Sequence, residues 1–346
     1  MVAEWSLDED DLGTNPNAFT SNVASSAEVI TGKAFDSKYT ESWKYFNSVE
    51  DGARVSKGWF KVVPAEMLNK EKYDDDEESW YYADGSGNLY AGEFKTIKGK
   101  KYAFRNDGRM LTGLKFIKEG DEDFADVKAD DDDSRPFDNE DDFFDNAIEF
   151  YEPNGYKCYY FGGDDDGAMR TGKTTINYDG ENTSFYFEKS GGKKGAGVTG
   201  EKDDKLYQSG MLLKADSDDK YIVVEKTSHY EGDKVKYTTY RKLDDAKEFM
   251  NADGVQVKDE LDGKNGNDAV NIGNGNTKKA EDLSEAYSIT YKDKDAKGDK
   301  KEYILVNTSG KIVDGKGKNK DGSDYYYVTE KKANGENSIV AIYVED

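Results

Sequence analysis

Aromatic side chains are the residues of this chain best suited to binding chemistry. The sequence contains 25 Tyr, 16 Phe and four Trp, and the tryptophans are Trp5, Trp43, Trp59 and Trp80. The face of an aromatic ring attracts a cation, and it also stacks against a sugar ring. Buried rings more often serve packing, so we expect most of these side chains to form the core of the elements that carry them.

Carboxylates are abundant, but their spacing does not predict a metal site. Residues 164–167 (Asp-Asp-Asp-Gly) suggest a calcium loop, and a second run starts with suitable spacing at Asp293. A calcium loop needs oxygen ligands at fixed positions and a glutamate at position twelve, which is Ile304 in the second run. We therefore expect solvated acidic surface and no metal. A carboxylate pair for glycoside hydrolysis stays open among the 73 Asp and Glu residues.

No catalytic motif accompanies these residues. The single histidine, His229, has no partner pattern, and the single cysteine, Cys158, lies in a tyrosine-rich stretch that predicts an inert buried thiol. The chain has no His–Cys metal spacing, no Gly-x-Ser-x-Gly elbow and no phosphate-binding loop. The sequence therefore predicts a non-catalytic protein without a cofactor, a catalytic residue or an intrachain disulfide.

A repeated unit positions many of the aromatic residues. It consists of an aromatic cluster, a turn with glycine, and the pattern Gly-x-Met-x-Thr-Gly. In the clearest copy, Tyr102 and Phe104 precede Gly108, Met110 and Gly113. The other copies span residues 43–59, 80–92, 159–172 and 185–200, and four of the five copies separate the two glycines by five residues. Alternating aromatics, a glycine turn with positive φ and a returning Met or Leu predict one β-hairpin per unit.

A single hairpin is not stable alone, so neighbouring hairpins must stack and bury their aromatic faces. We predict an all-β fold of tandem β-hairpin repeats, partly solenoidal, with acidic loop insertions at 74–78, 121–133 and 139–145. The predicted organisation is a lead-in or linker at 1–40, hairpin repeats at 41–200 and a divergent continuation of hairpin repeats at 201–346. Within the last part, residues 243–250 predict a short helix, and 262–282 predict a long loop.

Composition and charge narrow the class of partner. The hydrophobic share is 35% and the aromatic share 13%, which suits thin layers of strands better than a thick aliphatic core. The net charge of −24 opposes binding to nucleic acid or anionic lipid. No stretch reaches the roughly 20 apolar residues of a membrane span. No signal peptide is recognisable, so we expect Met1 to start a mature chain.

The repeat resembles that of choline-binding and glucan-binding proteins, the cell-wall-binding repeat. The resemblance rests on Trp80-Tyr81-Tyr82 with Gly87 and Gly92, on Gly58-Trp59, and on the Gly-x-Met-x-Thr-Gly copies. Repeats of that family have roughly 20 residues and form hairpins that wind into a solenoid, and Trp80 and Lys101 hold equivalent positions 21 residues apart. The resemblance covers about residues 41–200. Residues 201–346 resemble the divergent continuation in cell-wall-binding repeat proteins of gut Firmicutes.

The resemblance implies a ligand site built from aromatic rings of adjacent hairpins. In the family, such a cage holds the quaternary ammonium of choline through cation–π attraction. The candidate residues here are Trp43, Trp59, Trp80, Tyr82 and Tyr102. Lys101, Cys158 and Ser184 stand where the family has its leading tryptophan, so only the first part of the array is expected to form a cage. A sugar ring stacked on Trp59 or Trp80 is an equal alternative.

The function that follows is that of a non-catalytic protein at the extracellular face or cell wall of a Gram-positive bacterium. Its expected partners are cell-wall polysaccharide, teichoic-acid choline or another glycan. A structural stalk or scaffold without a small-molecule ligand is the first alternative. A glycan-active enzyme is the second, and it requires a cleft with two facing carboxylates. The sequence does not predict an oligomeric state.

Overall fold

The computed structural model describes residues 4–7, 37–47, 52–128, 139–151, 155–163, 165–178, 180–294, 298–313, 316–332 and 337–346. The described chain forms two compact units. Unit one comprises the described parts of Met1–Asp138, Asn154–Thr171 and Lys189–Ala196, and unit two those of Asn139–Pro153, Gly172–Glu188 and Gly197–Asp346. No helix in these ranges is long and apolar enough to cross a membrane.

Unit one is a series of short antiparallel strand pairs. Its described strands are β1 Glu4–Leu7, β2 Trp43–Phe46, β3 Gly58–Val62, β4 Ser79–Ala83, β5 Glu93–Ile97, β6 Lys100–Phe104, β7 Leu114–Glu119, β8 Phe124–Lys128 and β9 Lys157–Tyr160. Its helices are α1 Ser37–Glu41 and α2 Lys70–Asp74. The sheets are β1–β2, β3–β4, β5–β6 and β8–β7–β9. The prediction of successive β-hairpins is therefore confirmed in this unit.

The strand pairs are shifted along the sequence relative to the predicted repeat unit. The glycine turn inside a unit leads only to a single bridge, such as that between Phe104 and Met110. The longer pairing joins the segment after one closing glycine to the next aromatic cluster, as in β5 and β6. Lys98 and Gly99 connect these two strands with φ values of 49° and 83°. Two consecutive positive φ values match the twist of a tight hairpin, which explains why the long pairing forms there.

Successive hairpins are joined by a recurring backbone contact. The Met110 N–H donates to the Trp80 carbonyl at 2.8 Å, and the Met169 N–H donates to the Lys101 carbonyl at the same distance. Gly167 approaches Met110 so closely that a Cβ on Gly167 would lie 2.2 Å from Sδ, and Gly195 approaches Met169 at 2.3 Å. The same two contacts thus recur in successive repeats. This regular stacking of one hairpin on the next is the partly solenoidal arrangement that the repeat predicted.

Unit two contains longer strands and larger sheets. Its described strands are β10 Gly172–Tyr178, β11 Glu181–Phe187, β12 Gly200–Lys202, β13 Lys205–Gln208, β14 Met211–Leu212, β15 Tyr221–Glu231, β16 Lys234–Lys242, β17 Val255–Asp259, β18 Ala269–Asn271, β19 Thr277–Lys279, β20 Leu283–Tyr291, β21 Lys300–Asn307, β22 Gly317–Lys320, β23 Tyr326–Lys331 and β24 Asn337–Glu345. Its helices are α3 Glu140–Tyr151, α4 Ala246–Asn251 and the 3₁₀ turn Ala280–Asp282. The sheets are β10–β11–β14–β13–β12, β16–β15–β21, β17–β20–β24–β23–β22 and β18–β19.

The core of unit two consists of two clusters of apolar side chains, one on each side of the β20–β24–β23 strands. Leu305, Ile339 and Ile342 pack with Phe249 of α4 and with Tyr327. A second cluster around Val270 and Tyr343 lies on the other side of the β20–β24–β23 strands. The short helix predicted at 243–250 is confirmed as α4. Both layers follow from the period-2 alternation of side chains along each strand.

Three stretches predicted as loops contain regular structure. Residues 139–145 begin helix α3, and part of 121–133 forms β8, with residues 129–133 outside the described chain. The predicted long loop at 262–282 contains the β18–β19 hairpin, in which Val270 is fully buried. The loop prediction was wrong at these places because a few apolar residues among many polar ones suffice for burial. The predicted lead-in at 1–40 contains β1 and all of α1 except Glu41, and both elements belong to unit one.

Candidate functional site

The β3–β4 hairpin places aromatic residues on both of its faces. Trp59 pairs with Tyr82, and two residues along, Lys61 pairs with Trp80. Because side chains alternate along a strand, these four residues share one face of the hairpin. Phe60, between Trp59 and Lys61, points to the other face and belongs to a separate buried cluster. The alternation therefore assigns Trp59, Trp80 and Tyr82 to a common surface.

Four of the five predicted cage residues meet around Trp59. Its ring centroid lies 6.4 Å from that of Trp80, 5.1 Å from Tyr82 and 4.8 Å from Tyr102. The interplanar angles are 87°, 79° and 63°, so the three rings meet Trp59 edge-on or steeply tilted. Tyr102 comes from the next hairpin, on β6. We call these four residues the Trp59 cluster.

The four residues of the Trp59 cluster differ in solvent exposure. Tyr82 and Tyr102 are each only 9% exposed, whereas Trp59 and Trp80 are half-buried. Phe104 closes the cluster from the inside, stacked on Trp59 at 5.7 Å. The tyrosines therefore act mainly as packing residues, and the two indoles supply the ring surface that a ligand can reach.

Trp43, the fifth predicted residue, does not join the cluster. It lies on β2, pairs with Leu7 of β1, and contacts the rings of Trp5 at 6.5 Å and Tyr39 at 6.2 Å. It is 9% exposed and packs with the Phe60 side of the neighbouring hairpin. Trp43 lies in the core because β1 pairs with β2 and brings the Trp5 ring against it, although the two strands are far apart in sequence.

Two charged residues lie next to Trp80: Asp165, which the sequence offered only as part of an acidic run, and Lys61, which the sequence did not single out. The indole Nε1–H of Trp80 donates to Asp165 Oδ1 at 2.8 Å, and Lys61 Nζ forms an ion pair with the same oxygen at 3.2 Å. Lys61 Nζ also lies 5.8 Å from the Trp80 ring centroid. Hydrogen bonds from Trp80 and Lys61, together with the charge of Lys61, lower the pKa of the Asp165 carboxyl. The spacing of Lys61, two residues after Trp59, was the signal available in the sequence.

A groove runs beside these residues. It has a volume of about 570 Å³ and is lined by Lys61, Val63, Asp76, Glu77 and Glu78. Its lining is mostly polar, with three carboxylates and one ammonium. Hydroxyl groups of a ligand would find both donors and acceptors there. Lys61 both lies over the half-buried Trp80 indole and lines this polar groove.

The contacts of His229 and the burial of Cys158 indicate structural roles for both residues. His229 Nδ1 lies 2.9 Å from Asp299 Oδ2 and its Nε2 lies 3.2 Å from Thr239 Oγ1, with the ring stacked on Tyr237 at 4.3 Å. Cys158 is 2% exposed, and burial raises the pKa of its thiol far above the ordinary value, which keeps it protonated and unreactive.

The acidic runs considered for calcium stay without support. In the part of the chain that the structure describes, no group of three or more His, Cys, Asp or Glu side chains is arranged to hold a metal ion. Asp164 of the first run and residues 295–297 of the second lie outside the described residues. Ile304, at the twelfth position of the second run, lies within strand β21.

Comparison with known proteins finds likeness among solved structures alone. No protein-family model matches the chain. No curated protein matches it.

The chain is similar to the pneumococcal cell wall endolysin from phage Cp-1 complexed with choline, at 20% identity and a TM-score of 0.21 over 51% of this chain and 35% of that one. It is similar to choline binding protein F from Streptococcus pneumoniae at 18% identity and a TM-score of 0.15, over 50% and 54% of the chains. The values for CbpJ from Streptococcus pneumoniae TIGR4 are 22% and 0.17, over 49% of each chain. The chain thus spans about a third to a half of the structures it matches. TM-scores of this size establish no common overall arrangement.

Proposed function

We propose that this chain is a non-catalytic cell-surface protein of a Gram-positive bacterium that binds a cell-wall polymer at the Trp59 cluster. The observation that carries the proposal is the meeting of four aromatic rings from two successive hairpins, with both indoles half-exposed. Ligand sites usually combine aromatic side chains with a few polar groups, and the polar groove that contains Lys61 supplies such groups here. The sequence resemblance to cell-wall-binding repeats supports the same reading.

The surroundings of Trp80 favour a sugar ring over a quaternary ammonium. The ammonium of Lys61 already lies over the Trp80 ring and would repel a second cation there. Lys61 and Asp165 can instead exchange hydrogen bonds with the hydroxyl groups of a sugar stacked on the indole. A wall glycan is therefore the ligand class that we propose, with choline as the alternative that the following experiments separate.

The first prediction concerns the two half-buried indoles, Trp59 and Trp80. Titration with purified wall polysaccharide should give a saturable change in Trp fluorescence, and Trp59→Ala or Trp80→Ala should weaken binding at least tenfold, about 1.4 kcal/mol. Trp43→Phe is the matched control, because Trp43 lies in the separate core cluster, and it should keep wild-type affinity. Unchanged binding in the Trp59→Ala and Trp80→Ala variants would contradict the assignment of the site.

The second prediction uses Lys61 to distinguish the two ligand classes. Lys61→Met keeps the apolar stem over Trp80 and removes the charge. Choline affinity should rise about threefold in this variant, because a like charge roughly 6 Å away is removed. Affinity for a neutral glycan should fall by a similar factor, since the Lys61 hydrogen bonds are lost. A rise for choline combined with no glycan binding in any variant would make choline the ligand.

The scaffold alternative is favoured by one specific observation. Tyr82 and Tyr102 are almost fully buried, so half of the Trp59 cluster serves packing between hairpins. If the folded wild-type protein gives a flat response to both polysaccharide and choline, the cluster is only a core, and the protein acts as a stalk or scaffold.

A further inference from the structure

The second hairpin carries another group of rings, and its open face is covered by a lysine. Phe94 on β5 is half-buried, and its centroid lies 5.0 Å from that of Phe124 and 5.1 Å from that of Tyr159. Phe161 adds a fourth ring at 6.4 Å. The three neighbours of Phe94 are buried, so Phe94 is the member of this group that faces outward. We call these four residues the Phe94 cluster.

The ammonium of Lys101 lies over the Phe94 ring of this group. Lys101 Nζ is 4.3 Å from the Phe94 ring centroid, closer than the distances for Lys61 over Trp80 (5.8 Å) and Lys95 over Tyr90 (4.9 Å). Lys61 and Lys95 each also form an ion pair, with Asp165 and Glu93. Among the described residues, Lys101 Nζ has no such carboxylate within ion-pair distance. The aromatic face is thus its main partner.

The backbone holds Lys101 in this position. Lys101 pairs with Thr96 across the hairpin, and its carbonyl accepts the hydrogen bond from Met169 that joins one repeat to the next. In the preceding repeat the same carbonyl position belongs to Trp80. Burial lowers the pKa of the Lys101 ammonium, with Lys157 and Lys194 adding to this effect and Glu119 opposing it. A partly desolvated cation over an aromatic ring gains more from the ring quadrupole than an exposed one.

We propose that the Phe94 cluster is an alkylammonium-binding site that the chain occupies with its own Lys101 side chain. The site is separate from the Trp59 cluster and does not depend on the function proposed there. In the native protein, Lys101 excludes external cations from this hairpin. Removal of its side chain opens a site for a quaternary ammonium of the size of tetramethylammonium, because such an ion needs ring faces and no hydrogen-bond acceptor.

The test uses the full chain labelled with ¹³C-phenylalanine and titrated with tetramethylammonium. The Phe94 ring signals should not respond in the wild-type protein. In Lys101→Ala they should shift saturably, with half-saturation at a tetramethylammonium concentration at least tenfold below the highest one that leaves the wild-type signals unchanged. Lys101→Arg restores a cation over the ring and should behave as the wild type. Lys100→Ala is the matched control, since Lys100 lies on the same strand with a side chain that is 63% exposed, and it should not open the site.

Two results would overturn the proposal. One is a folded Lys101→Ala protein, verified by circular dichroism, whose Phe94 signals do not respond to tetramethylammonium. The other result is measured in the wild-type protein and therefore does not depend on the folding of the variant. The ε-methylene protons of Lys101 should show an upfield ring-current shift that Phe94→Leu abolishes. If this shift is absent, Lys101 does not occupy the Phe94 ring face. Because Trp fluorescence reports the Trp59 cluster and phenylalanine signals report this one, failure at one site is distinguishable from failure at the other.

Discussion

Replacing Asp107 with alanine is expected to lower the free energy of unfolding of unit one by about 3–5 kcal/mol, the usual cost of leaving one half of a buried ion pair. Asp107 is 6% exposed, and its Oδ2 accepts from Arg109 Nε at 2.7 Å and from Asn69 Nδ2 at 3.2 Å. Arg109 is 8% exposed, so its charge would remain buried without this carboxylate. Asn69 also caps α2 by accepting from the Lys72 N–H, which links the pair to the loop between β3 and β4.

Trp fluorescence during urea unfolding is the measurement, because all four tryptophans belong to unit one. Glu122→Ala is the control, as Glu122 pairs with Lys38 at 3.0 Å while 75% of its side chain is exposed. An exposed pair of this kind contributes little, so this variant should stay within about 0.5 kcal/mol of the wild type. Equal stability of the Asp107→Ala and Glu122→Ala proteins would show that the buried pair does not hold the unit together.

The Asp107 carboxyl should make the stability of unit one fall at acid pH. Burial raises the pKa of Asp107, but the charges of Arg109 and Arg105 and the hydrogen bonds from Arg109 and Asn69 outweigh it, so the pKa lies below its ordinary value of 3.8. A carboxyl with a lower pKa in the folded state stabilises that state fully above about pH 5 and loses this effect as the pH falls through the folded-state pKa. The stability difference between the wild type and Asp107→Asn should therefore shrink below about pH 4.

Phe143→Ala is expected to destabilise unit two by about 3–5 kcal/mol, the range for removing a large buried ring. Phe143 is fully buried on α3, and its ring meets Phe185 of β11 edge-on, with centroids 5.5 Å apart. The surrounding rings are held by two different elements and cannot collapse fully into the space left by the substitution. The cost should therefore include a cavity as well as the lost transfer free energy.

Tyrosine near-ultraviolet circular dichroism during thermal unfolding measures this effect, since unit two has no tryptophan. Asp145→Ala is the matched control on the exposed side of the same helix and should change stability by less than about 0.5 kcal/mol. If Phe143→Ala melts together with Asp145→Ala, α3 does not contribute to the core of unit two.

Helix α3 shows why an acidic run was misassigned. The residues 139–145 carry four carboxylates, which predicted a solvated loop. In the structure, the side chain of Asn139 accepts from the Asp142 N–H, and the carboxylates of the first turn lie at the positive end of the helix. Phe143, Phe144, Ala147 and Phe150 form the buried side. Their helical spacing was present in the sequence, but the charge run outweighed it in the prediction.

The grouping of the aromatic rings around Trp59 could be predicted only in part, and a ligand site there stays a prediction. Alternation along β3 and β4 places Trp59, Trp80 and Tyr82 on one face, and this can be recognised from neighbouring residues alone. Tyr102 follows because the repeat sets the distance to the next hairpin. Trp43 has the same residue type and a similar position in its repeat, yet its strand pairs with β1 and its ring packs into a separate core cluster. Nothing near Trp43 in the sequence indicates that pairing.

Local chemistry determined what could be predicted for this chain: glycines that supply positive φ at turns, alternating aromatics that require a strand, and a spacing that repeats. These are interactions between residues close in sequence, so the pattern alone defines an all-β array of hairpins. The tertiary structure decided which strands pair, and with them the shift of the hairpins along the repeat. It also separated Trp43 from Trp59. The environment of Trp43 depends on the pairing of β1 with β2, two strands far apart in sequence, so no local pattern indicates it.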